Sequence, residues 1–493
     1  MVAYVPPKQA GKYKAVASSA ITNGKPVFVH TDGTVKQVSQ TVDAADAGHA
    51  AGGQFESATG SGSLYSSVVF DSVNNKVAVV YQDIGNSNKI TVAVGTTNSS
   101  NGAITWGTPV LAYNASPTYF DITYAGSGKI VVAFQDTSAG GGAARVGTIS
   151  GNSVSFGTQS SDFTGNGNTI QGVRADYDSN ADRVVLAYKD ANDGDDGIAV
   201  VGTVSSTSIS FGSTVKFASS GTGHWELDFD SNSNKMVIAY SDGGNSYFGT
   251  CKVGTVSGTS ISFGTAVVFE SADSRAMDIC FDSTNNKMIV VYKDTGNSNY
   301  STGVVGTVSG TGISFGSPVV INTATAYEYH SVDHDPNSGK HMVVWSLNSG
   351  LTNKYAIGTV SGTSVSYASA ENLGGTAEVL DLVFDSSSGW FVSVYDNEGS
   401  SNTGESITFR IAYSNTTNTL TSENYIGIAS GGTYADTAEA TIDIVGTVNK
   451  DQTSLTAGQT YYVQNDGTLG TSADSPSVVA GTAISATELI VKG

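Results

Sequence analysis

The sequence predicts an all-β protein: a seven-bladed β-propeller inserted in a small β-barrel or sandwich domain built from both termini. Three observations carry this. Apolar runs such as Met288-Ile-Val-Val-Tyr292, Gly303-Val-Val-Gly306 and Ile313-Ser-Phe315 are too short for helices, and they are rich in β-branched and aromatic residues. Nearly the same text recurs about every fifty-two residues, as from Gly202 to Gly254 to Gly306 to Gly358. The text before and after the repeats is also strand-like and turn-bounded, but follows a different pattern.

In residues 1–50, the N-terminal part of the small domain, Val16 to Lys36 reads as strand, turn, strand, turn, strand, and residues 41–53 read as an Ala/Gly/Asp-rich linker. Residues 51–423 are the propeller. Each repeat carries four landmarks. An aromatic-Asp pair opens a polar turn at Phe70-Asp71, Tyr177-Asp178, Phe229-Asp230, Phe281-Asp282 and Phe384-Asp385, with His334-Asp335 in the same place; the second repeat has Tyr124-Ala-Gly126 instead. An aromatic residue then ends the next strand, at Tyr81, Phe134, Tyr188, Tyr240, Tyr292, Trp345 and Tyr395. A Gly-Thr pair follows, and then a triplet ending at Trp106, Phe156, Phe211, Phe263, Phe315 or Tyr367. Four strand-sized runs per repeat make a propeller blade, and the strand-ending aromatics count seven. Gln54-Phe55-Glu56-Ser57 resembles Val268-Phe269-Glu270-Ser271, so residues 53–57 are expected to supply the missing outer strand of blade seven and close the ring. Residues 424–493, the C-terminal part of the small domain, are strand-like again; the propeller is then an insertion between two halves of one domain.

The totals exclude several functions. The chain has 493 residues, 23 Lys plus Arg against 43 Asp plus Glu, and a formal charge of −20, so a phosphate-binding surface of clustered cations is not available for nucleic acid. Cys251 and Cys280 sit in apolar strand text and read as buried thiols. Met1-Val-Ala-Tyr-Val-Pro-Pro-Lys lacks the apolar core of a signal peptide, and no segment approaches the ~20 apolar residues that insert in a membrane, so synthesis in a host cytoplasm is expected.

The terminal regions carry a resemblance. Leu455-Thr-Ala-Gly458-Gln-Thr-Tyr461-Tyr-Val-Gln-Asn-Asp-Gly467-Thr-Leu, with Tyr425-Ile-Gly427-Ile-Ala ahead of it, resembles a small β module recurrent in tail-fibre and other structural proteins of tailed bacteriophages. Residues 19–36, 424–446 and 480–485 resemble more loosely the head-decoration proteins of lambda-like phages, which form a trimeric β module on the capsid. The resemblance covers roughly the first 40 and last 70 residues, and the small decoration proteins lack an inserted propeller. It implies a virion structural protein without catalysis, located on the virion surface, partnered by other capsid or tail proteins and assembled as a homo-oligomer, possibly a trimer.

The residue chemistry adds candidates for a site. Three places before the aromatic of the first landmark the repeats put Asp121, Arg174, Glu226, Asp278, Ser331 and Asp381, near the start of the strand that lines a propeller channel. Such a ring could bind a cation, polarise a sugar, or supply the two carboxylates of a glycosidase; it could equally keep a channel mouth polar. His224-Trp225-Glu226 and Tyr327-Glu-Tyr329-His330 depart from the repeat just ahead of an inner strand, where a binding surface is built. With Tyr119 they suggest an aromatic shelf for sugar stacking. Asp190, Asn192, Asp193, Asp195 and Asp196 form a dense acidic loop with the oxygen spacing that suits Ca2+, but without a bidentate Glu. The three converging Arg of sialidases, and the Asp of their blade turns, have no counterpart, since the chain's five Arg lie at dissimilar repeat positions.

The expectation from the sequence is therefore a non-enzymatic phage virion protein, tail-fibre-like or another surface appendage for host attachment, whose displayed propeller adheres to a host-surface glycan by multivalent contact. The alternatives are a capsid decoration protein, a glycan-processing enzyme on a propeller, and a secreted propeller lectin, the last disfavoured by the missing signal peptide.

Overall fold

A computed structural model describes residues 11–492 except 19, 30–32, 39–47, 57–62, 139, 166, 377–379, 398–402, 413–419, 436, 465–466 and 474–476. It divides into two units, one made of Met1–Ala44 with Tyr413–Gly493, the other of Ala45–Ala412.

The larger unit is the propeller. Its described strands form seven blades, each an antiparallel meander such as Thr222–Asp230, Lys235–Asp242 and Phe248–Ser257. The fourth strand is split around a glycine. In this blade Ser260–Phe263 pairs with one end of the third strand and the start of Val267–Asp282 pairs with the other. Val267–Asp282 then continues without a break as the inner strand of the next blade, and Val319–Asp335 repeats the device. Each inner strand lies against the inner strand of the next blade, and Leu380–Asp385 of the seventh lies against Ser63–Asp71 of the first, so the sheets close radially.

The second strand of each blade is buried on both faces, because neighbouring blades cover it. Lys287–Asp294 is buried from Met288 through Tyr292, which explains its unbroken apolar run. The Gly-Thr landmark is a close-approach site: a Cβ at Gly254 would meet Ile261 at 2.6 Å and Phe263 at 3.0 Å. The aromatic-Asp landmark is an Asx turn. Asp282 accepts from the N–H groups of Thr284 (3.0 Å) and Asn285 (2.9 Å) and from Asn285 Nδ2 (2.8 Å), which fixes the hairpin after the inner strand.

The stretch 41–53, expected as a linker, lies outside the described residues up to 47. From Gly48 it is a strand, Gly48–Gln54, paired antiparallel with Thr403–Arg410. The closing strand thus starts earlier than the expected 53–57, and Phe55 and Glu56 follow it. Phe55 lies over Gly404, where a Cβ would meet its ring at 2.3 Å, and packs on Tyr81 (5.2 Å) and Trp106 (5.7 Å) of blade one. Phe269 does the same with Gly249, Tyr292 and Phe315 at the junction of blades four and five.

In the smaller unit one sheet joins Lys12–Val16, Glu439–Ile444, Tyr425–Ala429, Pro26–Val29 and Val35–Gln37. A second joins Val448–Asn449, Leu489–Val491, Val479–Ala483, Thr460–Val463 and Leu469–Gly470. Phe28, Tyr425 and Ile428 of the first pack with Tyr461, Val463, Leu489 and Val491 of the second, so strands from both chain ends share one core.

One core residue breaks the repeat. His341 is fully buried, and neither ring nitrogen has a hydrogen-bond partner among the described residues. It pairs with Gly358 in the register where Met236 faces Gly254 and Met288 faces Gly306. Burial pushes its pKa down to about 3, so it folds neutral. His341→Met is expected to stabilise the fold by about 1–3 kcal/mol, the cost of a buried unsatisfied polar group. Since the unfolded His gains a proton below about pH 6.5 and the folded one does not, wild-type stability is lost as pH falls through that point. The gain in His341→Met should therefore be larger at pH 5 than at pH 7.5 in urea melts.

Candidate functional site

The propeller axis carries two layers of polar residues, because alternate residues of an inner strand face the same side. The first layer holds Ser67, Asp121, Arg174, Glu226, Asp278, Ser331 and Asp381. Two places further along each strand, the second holds Asp176, Asp228 and Asp333.

Most of these carboxylates join one blade to the next. Asp121 Oδ2 accepts from the N–H of Ala175 (2.8 Å), Asp278 Oδ2 from Val332 (2.7 Å) and Asp381 Oδ2 from Val68 (2.8 Å). In the second layer Asp228 accepts from the N–H of Phe281 and Asp333 from that of Phe384 (2.6 Å), while the N–H of Phe229 donates to Asp228 Oδ1 (2.8 Å). Two junctions remain: Ser67 Oγ donates to Asp121 Oδ1 at 2.7 Å between blades one and two, and Arg174 Nε donates to Glu226 Oε1 between blades three and four. Every blade junction thus has at least one polar link at the axis. Several carboxylates also cap their own strand: Asp278 Oδ1 accepts from Ile279 (2.7 Å) and Asp381 Oδ1 from Leu382 (2.8 Å). Burial pushes Asp121 and Asp333 up to about 6 and Asp278 up to about 7.

Glu226 is different. Its carboxylate pairs with Arg174 Nε, and no bond from it to a backbone N–H is described. Burial drives its pKa well above the usual carboxylate range; Arg174 opposes this, and the charges of Asp278 and Asp121 reinforce it. Arg174 stays protonated, because Glu226 and Asp121 outweigh its own burial.

Above this layer the inner strands bulge. Register shifts fall between Leu64 and Ser66, Gln171 and Val173, Thr222 and Trp225, Arg275 and Asp278, and Ala326 and His330. The bulges hold Tyr65 and Ala276 at φ of 49° and 47°, a region side chains seldom occupy. Bulges of this kind re-aim side chains at barrel rims and active sites. They carry His224, Arg275, Tyr327, Glu328 and Tyr329 at one end of the channel. His224 is exposed, and its pKa is lowered by desolvation first; Glu328 and Asp273 raise it while Arg275 and Arg174 lower it, which places these charges around it. Two ion pairs border the mouth: Glu328 with Lys293 (2.5 Å) and Asp273 with Arg275 (2.7 Å).

The sequence candidates therefore separate. Glu226 and His224 share the mouth with the bulge that carries Tyr327 and Tyr329, whose ring centroids lie 6.4 Å apart. Asp121 and Asp278 belong to the channel but serve as staples. Trp225 is turned into blade packing: its Nε1–H donates to Ala187 O (3.2 Å) and its ring covers Gly172. His330 is buried, 2.9 Å from Ser301 Oγ, and held neutral at a pKa of about 3 by burial and then by Lys293. Among the described residues no contact ties Tyr119 to the Glu226 group. The acidic loop is bound by its own lysines: Lys216 with Asp193 (3.1 Å) and Asp196, Lys189 with Asp195 (3.8 Å). Asp190 Oδ2 takes Asn168 Nδ2 (2.6 Å), while Asp190 Oδ1 takes the N–H of Asn192 (2.9 Å). Among the described residues no group of three or more His, Cys, Asp or Glu converges as a metal site. Asp176, Asp228 and Asp333 were not singled out by sequence; the period-two alternation along the inner strand is the signal that reaches them.

No protein-family model matches the chain, and no curated protein matches it. Similar solved structures include a periplasmic gluconolactonase of Pseudomonas aeruginosa, at 14% identity and TM-score 0.44, over 74% of this chain and 97% of that chain. Others are the NanB sialidase of Streptococcus pneumoniae, at 10% identity and TM-score 0.41, over 71% of this chain and 68% of that chain, and the Aleuria aurantia lectin, at 14% identity and TM-score 0.39, over 64% of this chain and 99% of that chain. The expectation of a non-enzymatic virion appendage for host adhesion is thereby corrected: these matches are described as enzymes and a lectin, and none of them as a virion protein. What the chain has in common with them is the all-β propeller fold.

Proposed function

We propose that the channel mouth takes a saccharide and that the propeller processes it, with Glu226 as proton donor. The observation that carries this reading is that Glu226 is the first-layer carboxyl with no backbone N–H bond among the described residues, and that burial pushes its pKa well above the usual carboxylate range. A half-buried carboxyl with a raised pKa suits general-acid catalysis at a leaving oxygen. His224, exposed at the same mouth and neutral because its pKa is lowered, is the base that draws a proton from water. Water's oxygen then bonds to the anomeric carbon, the glycosidic C–O bond breaks, and the leaving oxygen takes the proton of Glu226. Tyr327 and Tyr329 offer faces on which a sugar ring stacks.

The test is release of reducing ends from a panel of oligosaccharides. Glu226→Gln is expected to lower kcat by ~100-fold or more, within the range of general-acid contributions, with KM changed little. The alkaline limb of the pH–rate profile should vanish with it. A second reading is binding without turnover, favoured because Asp121 and Asp278 are committed to the blade junctions and leave no second free carboxylate. Saccharide binding by the wild type without release of reducing ends supports that reading; absence of both binding and release removes both.

A further inference from the structure

The outer groove between blades three and four departs from the seven–one and four–five junctions at one side chain. At the seven–one junction Tyr81 Oη donates to Glu56 Oε2 at 2.8 Å, and at the four–five junction Tyr292 Oη donates to Glu270 Oε2 at 3.0 Å. Each Glu directly follows the wedge phenylalanine, Phe55 or Phe269. At the three–four junction the wedge is Phe217, packed on Tyr240 (5.4 Å) and Phe263 (6.1 Å), and the residue that follows is Ala218. Tyr240 is only 2% exposed, yet its hydroxyl has no partner among the described residues.

A cavity of about 510 Å³ lies where the glutamate is missing, lined by Ala218, Tyr240, Lys216, Asp242 and Lys252 among others. Lys252 departs from most of its counterparts. It faces Ile238 in the register that holds Ala93, Val200, Val304 and Ala356 in four other blades and Arg145 in blade two. It is half-buried, no hydrogen bond or ion pair of its ammonium is described, and burial lowers its pKa against the pull of Asp242.

We propose that this groove is a carboxylate-binding site, in which a ligand carboxylate takes the place of Glu56 and Glu270, accepts from Tyr240 Oη and pairs with Lys252 Nζ. Asp242 does not forbid it. Its counterparts Asp83 and Asp294 sit beside Glu56 and Glu270 with no lysine in the Lys252 register; burial raises their pKa values first, and those glutamates raise them further. Here Lys252 offsets the repulsion, and Lys216, already paired with Asp193 and Asp196, closes one wall. The ligand class is a small organic acid or an acidic sugar. The site is separate from the channel mouth and does not rest on the saccharide reading.

The probe is sodium propionate, which reproduces the glutamate side chain from Cβ outward. Saturation-transfer NMR on the full chain is expected to show propionate signal with wild type and none with propionamide. The signal should be lost in Lys252→Met and in Ala218→Glu, the second of which supplies the carboxylate internally and should melt at or above the wild-type temperature. Competition by glucuronate marks the acidic sugar as the source; competition by aliphatic acids alone marks the small organic acid. Absence of the propionate signal in wild type, or its persistence at full strength in a folded Ala218→Glu or Lys252→Met protein, overturns the proposal.

Discussion

Phe55→Ala is expected to destabilise the propeller by about 3–5 kcal/mol, the range for truncating a buried phenylalanine. Phe55 is 3% exposed and bridges the two ends of the repeat array. Its ring lies over Gly404 of blade seven and against Tyr81 and Trp106 of blade one, while Glu56 beside it takes the Tyr81 hydroxyl. The neighbouring strand Gly48–Gln54 pairs with Thr403–Arg410 and covers what would be an open edge. Phe269→Ala is the internal control, because it removes the same contacts at an interior junction. Both should lose similar stability in guanidinium melts. Only Phe55→Ala should raise hydrogen exchange selectively along Gly48–Gln54 and Thr403–Arg410, since there the strands joined are far apart in sequence and loop closure is costly. An unchanged midpoint for Phe55→Ala would show that the ring is held shut elsewhere.

The parts of this architecture that are legible in the linear text are those with local causes. The aromatic-Asp pairs recur because Asp71, Asp178, Asp230, Asp282, Asp335 and Asp385 each bond backbone N–H groups two or three residues on. The second repeat lacks the Asp and turns with Gly126 and Gly128, both at positive φ. The Phe55-Glu56 and Phe269-Glu270 pairs match because they make the same contacts. The channel staples are not legible in this way. Asp121 and Ala175, or Asp381 and Val68, meet only because an inner strand lies beside its successor, so the same residues read equally as a catalytic or cation-binding ring. Trp225 misleads for the same reason: it breaks the repeat, as a ligand-binding residue would, but the break is filled by Gly172 of the preceding blade. The value of Glu226 emerges only by subtraction, once the stapling carboxylates are removed from the channel's inventory.

The stacked carboxyls also predict how stability depends on pH. Asp176 and Asp278 are pushed up to about 7, Asp121 and Asp333 to about 6, and Asp228 well above the usual range, in every case by burial first. Unfolded, each titrates near 4, so between about pH 4 and 7 the folded protein holds protons that the unfolded chain has released. Stability from these groups is therefore fully present at acid pH and falls as pH rises. Below about 6.5 the buried His330 and His341 oppose this, since they protonate only on unfolding; from pH 6.5 to 8 the carboxyls act without that opposition. An equilibrium urea series is expected to show a loss of about 1–3 kcal/mol over that interval, limited by the channel's partial contact with water. Asp176 isolates the cause. Its Oδ2 is buried with no hydrogen-bond partner among the described residues, and its charge raises the pKa of Asp228 beside it. Asp176→Asn removes that charge from beside Asp228 while keeping the side chain's shape. It should flatten the slope and gain about 1–2 kcal/mol at pH 8, with little change at pH 5.5. Stability that rises between pH 6.5 and 8, or an Asp176→Asn protein weakened equally at both pH values, would mean that the buried charge of Asp176 does not set the slope.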